Sequence, residues 1–145
     1  MLIDRSDQVR LTDYGFSPIA SVIMFSATGL TAGNARWLAP EIIGQSGPDG
    51  AVVESERADI FAFAMLTIEV FTGKVPFWKL GNSAVVNQIF LGSRPEFPQG
   101  IEEVGLTLQI QEFLARCWDQ EPTQRPDINE AMAVWRGFLG EDGYV

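Results

Sequence analysis

One segment of this sequence must be surrounded by protein, and that requirement limits the possible folds more than any other feature. Ser55 to Phe71 is predicted to form a helix that is apolar on nearly every face, and Gly73 is placed to end it. Its most apolar part, Ile60 to Phe71, is shorter than the ~20 residues of a membrane span and contains Glu69. We therefore expect a buried central helix in a mainly helical domain.

Shorter elements are predicted on both sides of this helix. Apolar runs separated by a polar turn predict a β-hairpin within Leu2 to Leu11. The stretch from Asp13 to Pro40 has no helical or strand period, so it is predicted to be a long functional loop. A helix is predicted from Ser83 to Leu91, with Ser83 as N-cap and Gly92 after its end. Another is predicted from Leu106 to Trp118. Pro126 and Asp127 open the last predicted helix, in which Glu130 has capping-box spacing from Asp127.

Composition narrows the function classes. The chain has 145 residues, of which 46% are hydrophobic and 20% charged, as expected of one compact domain. A net charge of −9 argues against binding to nucleic acid or to an anionic membrane surface. The lack of histidine excludes imidazole bases and imidazole metal ligands from this sequence.

The single cysteine and the first residues bear on the compartment. Cys117 cannot form an internal disulfide or a thiolate zinc site by itself, which favours a reducing environment. Asp4 and Arg5 follow Met1 too closely to leave room for the apolar core of a signal peptide. We therefore expect an intracellular, cytoplasmic protein.

Four segments carry short motifs in a fixed order: Asp13-Tyr14-Gly15; Gly33 to Glu41, ending in Ala39-Pro40-Glu41; Ala58 to Phe77; and Cys117 to Pro126. Together they resemble the C-terminal lobe of a eukaryotic protein kinase, in wording similar to the tyrosine-kinase-like branch of serine/threonine kinases. One such tripeptide is weak evidence, whereas four in order at compatible spacing are strong evidence. The resemblance covers residues 1–140 as a partial kinase domain and leaves 141–145 as a tail.

The resemblance implies a fold and an activity. The expected fold is a small β-hairpin, an activation segment and a helical bundle, with the N-lobe and the catalytic loop absent. The implied activity is ATP-dependent phosphoryl transfer to serine and threonine side chains of a protein substrate, with Mg²⁺ and ATP as cofactors.

Several kinase parts are not found in the sequence. It contains no Gly-rich phosphate loop, no strand lysine for ATP and no His-Arg-Asp loop, so we expect no complete catalytic set and negligible binding of Mg²⁺–ATP by this chain alone. A truncated or pseudogene product fits this pattern. One alternative is a non-catalytic, kinase-like interaction module. A second is an unrelated helical module, which the ordered motifs argue against. Loss of neighbouring helices would leave core surface exposed, so self-association is expected.

The Asp-Tyr-Gly tripeptide is the candidate nucleotide site. The resemblance implies that Asp13 holds the Mg²⁺ that bridges ATP phosphates, since a carboxylate suits a hard cation. Tyr14 keeps the aromatic ring of the family's phenylalanine, and Gly15 gives the backbone freedom to move. The alternative is an ordinary polar turn after a strand.

The resemblance also implies a buried ion pair between Glu41 and Arg125, which would tie the activation segment to the helical body. The alternative is two solvated surface charges, although Arg125 would then lie unfavourably close to the positive end of a helix. Asp59 stands where the family's residue accepts hydrogen bonds from the catalytic loop. Its alternative role is that of an acid favoured in the first turn of a helix.

The segment before Pro40 is the candidate substrate loop. Arg36 and Trp37 belong to it, and Asn34 replaces the threonine usual beside the family's substrate site, so substrate positioning is expected to differ here. Phosphorylation is possible in this region, with solvated polar side chains as the alternative. The candidate phosphorylation residues are Ser21, Ser26, Thr28 and Thr31.

Overall fold

The computed structural model describes residues 2–10, 34–44 and 56–140. Five α-helices are seen in these ranges: α1 (Pro40–Gly44), α2 (Glu56–Thr72), α3 (Asn82–Phe90), α4 (Leu108–Cys117) and α5 (Ile128–Leu139). Short 3-10 helices cover Asn34–Trp37, Ile101–Val104 and Pro122–Gln124. Strands β1 (Leu2–Ile3) and β2 (Val9–Arg10) pair antiparallel. This mainly helical architecture with a small hairpin confirms the predicted fold class.

The hairpin is held by polar contacts around one carboxylate. Asp4 Oδ1 accepts hydrogen bonds from the backbone N–H groups of Ser6 (2.8 Å) and Gln8 (3.1 Å). Its Oδ2 accepts from Nε of Arg10 at 2.8 Å. Asp7 adopts a positive φ of 57°, a conformation that aspartate tolerates better than most residues. The turn therefore depends on local side-chain-to-backbone bonds.

Helix α2 is the centre of the described structure. Phe61, Ala64 and Met65 are fully buried, and the helix packs against α4, α5 and the Asn34–Trp37 turn. Gly73, at a φ of +64°, ends it and donates its N–H to the carbonyl of Glu69 at 2.8 Å. The predicted central helix and its terminating glycine are confirmed, while Ser55, the predicted start, lies outside the described residues.

One side of α2 is covered less completely than the rest. Phe63 and Leu66 are half-buried, and Val70 is 63% exposed. Trp135 of α5 covers part of this side, with its ring centroid 5.6 Å from that of Phe63 in an edge-to-face contact. The expected self-association through exposed core surface remains a prediction.

Helix α3 begins earlier than predicted, so Ser83 is not its N-cap. Gly81 is the cap, and its carbonyl accepts the N–H of Val85 at 3.0 Å. No side chain caps this end, and Ser83 lies exposed in the first turn. The prediction is wrong because serine is a common N-cap, whereas here the first backbone bond of the helix starts at a glycine that no side chain marks. Gly92 follows the end with a φ of +85°, as predicted.

Helix α4 begins two residues later than predicted. Gly105 adopts a φ of +96°, and the Thr107 hydroxyl accepts the N–H of Ile110 at 3.4 Å, which makes Thr107 the N-cap. Leu106 therefore lies before the helix, although its side chain is fully buried. The apolar spacing identified a core residue correctly and placed it in the wrong element.

The other two predicted boundaries had different outcomes. Asp127 caps α5, as predicted, since its Oδ1 accepts the N–H of Glu130 at 2.8 Å. The long loop predicted up to Pro40 is wrong at its end, because Asn34–Trp37 forms a 3-10 turn. Pro40 then starts α1, and the Ala39 carbonyl accepts hydrogen bonds from the N–H groups of Ile42 and Ile43.

Candidate functional site

The Ala39-Pro40-Glu41 segment is fixed to the helical body by one buried arginine. Arg125 Nη1 donates to Oε1 of Glu41 at 2.7 Å, and its Nη2 donates to Oε2 at 2.8 Å. The Arg125 side chain has no exposed surface, and that of Glu41 is 20% exposed. The ion pair implied by the resemblance is present, and it excludes the reading of two solvated surface charges.

Two further hydrogen bonds join Arg125 to backbone carbonyls. Its Nε donates to the carbonyl of Asp119 (2.8 Å), and Nη1 also donates to the carbonyl of Arg57 (2.8 Å). Arg57 in turn donates to the carbonyl of Arg125. A buried guanidinium costs much desolvation free energy unless its N–H groups are bonded, and here they are bonded to a carboxylate and two carbonyls. Arg125 thereby connects α1, the start of α2 and the turn before α5.

A second arginine lies on the same aromatic ring. The guanidinium carbon of Arg94 is 5.0 Å from the ring centroid of Phe61, and that of Arg125 is 5.1 Å from it. Arg94 donates to the carbonyl of Trp118 at 2.6 Å and to Oε1 of Gln120 at 2.7 Å. Burial, followed by the nearby positive charge of Arg125, lowers the pKa of Arg94 to about 10, so it remains charged at neutral pH.

Arg36 fixes the segment before Pro40, the candidate substrate loop, to the loop that follows α2. Its Nη1 donates to the carbonyls of Pro76 (2.6 Å) and Phe77 (2.9 Å), and its Nη2 donates to that of Leu80 (2.6 Å). Phe77 has a φ of +54°, a region that bulky residues rarely adopt. One guanidinium therefore holds together three carbonyls of a loop whose backbone is strained at Phe77.

Trp37 and Asp59 have clear positions. The indole Nε1 of Trp37 donates to Oε2 of Glu69 at 3.1 Å, which attaches the 3-10 turn to α2 a second time. Asp59 is exposed in the first turn of α2, where the helix dipole favours an acid. Trp37 therefore anchors the 3-10 turn to α2, whereas Asp59 is an acid in a position that the helix dipole favours.

Several predicted site residues lie outside the described residues. They are Asp13, Tyr14 and Gly15 of the nucleotide tripeptide and the candidate phosphorylation residues Ser21, Ser26, Thr28 and Thr31. Asn34 begins the 3-10 turn, which fixes its backbone position only. Within residues 2–10, 34–44 and 56–140, no group of three acidic, cysteine or histidine side chains is arranged to hold a metal ion.

Sequence reasoning missed two parts of this site. Arg94 contacts residues 24 and 26 positions away, and no spacing rule points to such contacts. The carbonyls bound by Arg36 are backbone groups 40 to 44 positions away, and every residue type offers a carbonyl. The proline followed by two aromatic residues after α2, Pro76-Phe77-Trp78, was the available sign of an unusual loop.

An apolar central helix, together with an Ala-Pro-Glu segment that a buried arginine anchors to the helical body, is the arrangement expected of the helical lobe of a protein kinase. The comparison with known proteins agrees. A family model described as protein tyrosine and serine/threonine kinase matches residues 1–134. The chain therefore belongs to the protein kinase family.

Individual relatives support the same family. Serine/threonine-protein kinase STY17 of Arabidopsis thaliana is 30% identical over 146 residues, which covers 99% of this chain and 23% of that protein. Atrial natriuretic peptide receptor 2 of Rattus norvegicus is 27% identical over 98% of the chain and 14% of the receptor. Dual specificity protein kinase pyk3 of Dictyostelium discoideum is 27% identical over 91% of the chain and 9% of that protein. The chain thus spans less than a quarter of the length of each of these relatives.

The helices of the described ranges were also compared with the requirements of a membrane span. None of them is both long enough and apolar enough to cross a bilayer.

Proposed function

We propose that this chain takes part in ATP-dependent phosphoryl transfer to serine and threonine side chains of proteins, as the lobe that holds the activation segment and receives the protein substrate. The observation that carries the proposal is the bidentate Arg125–Glu41 ion pair, which fixes the end of the activation segment on a buried helical core. Kinase catalysis depends mainly on positioning, so a rigid anchor at this point has a direct use.

The substrate loop has a second anchor that supports the same role. Arg36 binds three carbonyls of the loop after α2, and Trp37 binds Glu69. These contacts hold the backbone that leads to Pro40, while Asn34 precedes them. We propose that a substrate hydroxyl is presented next to Asn34, with a positioning different from that given by the threonine usual in the family.

Mg²⁺ and ATP are the proposed cofactors, and Asp13 is the proposed metal ligand. Tyr14 would supply the aromatic ring that the family's phenylalanine provides, and Gly15 would allow the segment to move. The described residues hold no acidic cluster of their own for a metal ion, so the proposal depends on Asp13. Mg²⁺ releases its water ligands reluctantly, and one carboxylate gives little affinity without further groups around the phosphates. We therefore propose that residues 1–145 by themselves bind Mg²⁺–ATP negligibly.

The nucleotide chemistry proposed here and the single, buried Cys117 support an intracellular setting. The serine/threonine specificity is proposed from the name of the Arabidopsis relative.

The test is a phosphoryl-transfer assay on the longest in-frame product of the gene that contains these residues. Transfer of labelled phosphate from ATP to serine or threonine peptides is expected, and Asp13→Asn is expected to reduce it by at least about 100-fold, because it removes the negative charge of the proposed metal ligand. Asp7→Asn, an exposed aspartate of the hairpin, is the matched control and should leave the rate unchanged. Equal rates for the Asp13 variant and the unaltered protein would refute the role of Asp13.

An absence of transfer in the unaltered protein, together with retained binding of a protein partner, would instead establish the non-catalytic interaction module. Micromolar binding of Mg²⁺–ATP to residues 1–145, measured by titration calorimetry and removed by Asp13→Asn, would overturn the proposal that these residues need further groups around the phosphates.

A further inference from the structure

A groove is lined in part by the loop that follows α2, including the three residues whose carbonyls Arg36 binds. Its volume is about 970 Å³, which lies at the upper end of the range for ligand pockets. Its apolar lining includes Phe71, Pro76, Trp78, Phe97, Pro98 and Val104. Trp78 is 55% exposed and Val104 is 58% exposed, so large apolar side chains face water here. We call this feature the Trp78 groove.

The positive charge of the Trp78 groove is unusual for this chain. The sequence has two lysines, Lys74 and Lys79, and both line the groove. Their ammonium groups lie 4.4 Å and 5.4 Å from the ring centroid of Trp78, within cation–π distance. In the part of the chain that the structure describes, neither ammonium group is paired with a carboxylate. A chain with a net charge of −9 thus places both of its lysines against one exposed tryptophan.

Other charges in the lining leave the groove positive. Arg94 also lines it, although its guanidinium is already bonded to the carbonyl of Trp118 and to Gln120. Glu96 is the one acidic residue in the described lining. The two lysine ammonium groups are therefore the positive charges that remain available to a ligand, and Glu96 offsets them only in part.

The wall that carries Trp78 is fixed before any ligand binds. Arg36 holds the carbonyls of Pro76, Phe77 and Leu80, the residues that flank Trp78 and Lys79. The lining also includes Pro95 and Pro98, whose φ angles are restricted by their rings. A surface ordered in advance loses less conformational entropy on binding, so contacts made there contribute more fully to affinity.

We propose that the Trp78 groove binds an acidic peptide segment of a partner protein that also carries apolar side chains. The carboxylates of the segment pair with Lys74 and Lys79, and its apolar side chains pack on Trp78 and Phe97. Aromatic residues with flanking polar or charged groups are the usual energetic centres of such interfaces. This binding needs neither ATP nor phosphoryl transfer, so it stands or fails independently of the proposed kinase role.

The test uses the full chain and a short fluorescein-labelled peptide of alternating glutamate and proline with one central leucine. Fluorescence anisotropy measures the dissociation constant, and the same peptide with glutamine in place of glutamate is the ligand control. Saturable binding of the glutamate peptide, weakened by added salt, is expected. The double variant Lys74→Gln/Lys79→Gln is expected to weaken binding at least about tenfold at low salt. Trp78→Ala is expected to weaken it about thirtyfold, as for a central aromatic anchor.

Two further double variants control for net charge and folding. Arg5→Gln/Arg136→Gln removes two exposed positive charges elsewhere and should leave the affinity unchanged. Lys74→Arg/Lys79→Arg keeps the charge and should retain binding. The proposal is overturned if the glutamate peptide does not bind, if the glutamine peptide binds equally well, or if the lysine-to-glutamine variant keeps full affinity. It is also overturned if Trp78→Ala instead abolishes self-association of the chain, since a second copy would then be the occupant.

Discussion

The hairpin and the helical body are stabilised in opposite ways. In the hairpin, Val9 is 60% exposed, and order comes from the hydrogen bonds that Asp4 accepts around one turn. In the body, Phe61 and Met65 have no exposed surface, and the charged groups Arg125 and Glu41 join segments 84 positions apart. The hairpin depends on neighbours in sequence, whereas the body depends on burial and on a few long-range polar contacts.

This difference indicates where substitutions will be felt. A solvated polar contact can be replaced by water at little cost, because the separated groups remain hydrated. A buried charge has no such replacement, because its partner is left desolvated and unpaired. Equivalent arginine substitutions in the two regions should therefore differ greatly in their effect on the free energy of unfolding.

Arg125→Ala should have the largest effect. It leaves the carboxylate of Glu41 without its partner beside a buried core and frees the carbonyls of Asp119 and Arg57. We expect a loss of about 3–5 kcal/mol in the free energy of unfolding. Urea denaturation followed by circular dichroism measures it. Arg116→Ala, which breaks an exposed ion pair with Glu130, is the matched control and should change it by less than about 1 kcal/mol. Equal losses for the two variants would contradict the expected difference between buried and exposed ion pairs.

Arg36→Ala should have the next largest effect. It removes three charge-assisted bonds from a loop that includes the strained backbone of Phe77. We expect a loss of about 2–3 kcal/mol, and faster hydrogen exchange in residues 74–81 measured by mass spectrometry. Arg36→Lys should recover only part of the loss, because an ammonium group cannot reach the carbonyls with a planar fork. Full recovery by lysine would show that charge alone holds the loop.

Asp127→Ala should have a smaller effect, confined to one helix. The variant removes the carboxylate that accepts the N–H of Glu130 at the start of α5. The expected loss is about 1 kcal/mol, and Asp127→Asn should restore most of it, since asparagine is an equally good cap. Thermal unfolding measures both variants. A loss as large as that of Arg125→Ala would mean that Asp127 has a role beyond capping.

Arg10→Gln should have the smallest effect, a change in titration without a measurable shift of the global unfolding transition. The Arg10 side chain, followed by backbone N–H bonds, lowers the pKa of Asp4 below its ordinary value. A lowered pKa stabilises the hairpin above the ordinary pKa of the carboxyl, and this stabilisation is lost as the pH falls through the lowered pKa. Titration by NMR should show the Asp4 pKa rising toward its ordinary value in the variant. An unchanged pKa would show that the backbone bonds alone lower it.

The sequence was a good guide to the helical body and a poor guide to where some helices begin. The central helix was predictable because its apolar residues leave no polar face, which only burial can satisfy. The start of α3 was not predictable, because Gly81 caps this helix through its carbonyl and no side chain marks the position. Leu106 shows the same limit, since apolar spacing records burial without recording which element carries the buried residue.

The candidate site was also predictable in part, through its side chains but not through its backbone groups. The Glu41–Arg125 pair was expected because both residues stand in motifs that resemble a known family. The groups that complete it, the carbonyls of Asp119 and Arg57, belong to the backbone and leave no trace in residue identity. The Trp78 groove was likewise invisible in the sequence, because the contacts of Lys74 and Lys79 with one ring depend on the path of the loop.

The buried Cys117 provides a way to measure how fast part of this molecule opens. Burial raises the pKa of its thiol to about 12, so the folded protein offers almost no thiolate to an alkylating reagent, and reaction requires opening. Since the chain has one cysteine, the labelling rate at saturating reagent equals the rate at which the end of α4 separates from its neighbours. The residue next to it, Trp118, supplies the carbonyl that Arg94 binds. Alkylation of Cys117 therefore reports the opening of the segment that Arg94 binds at Trp118.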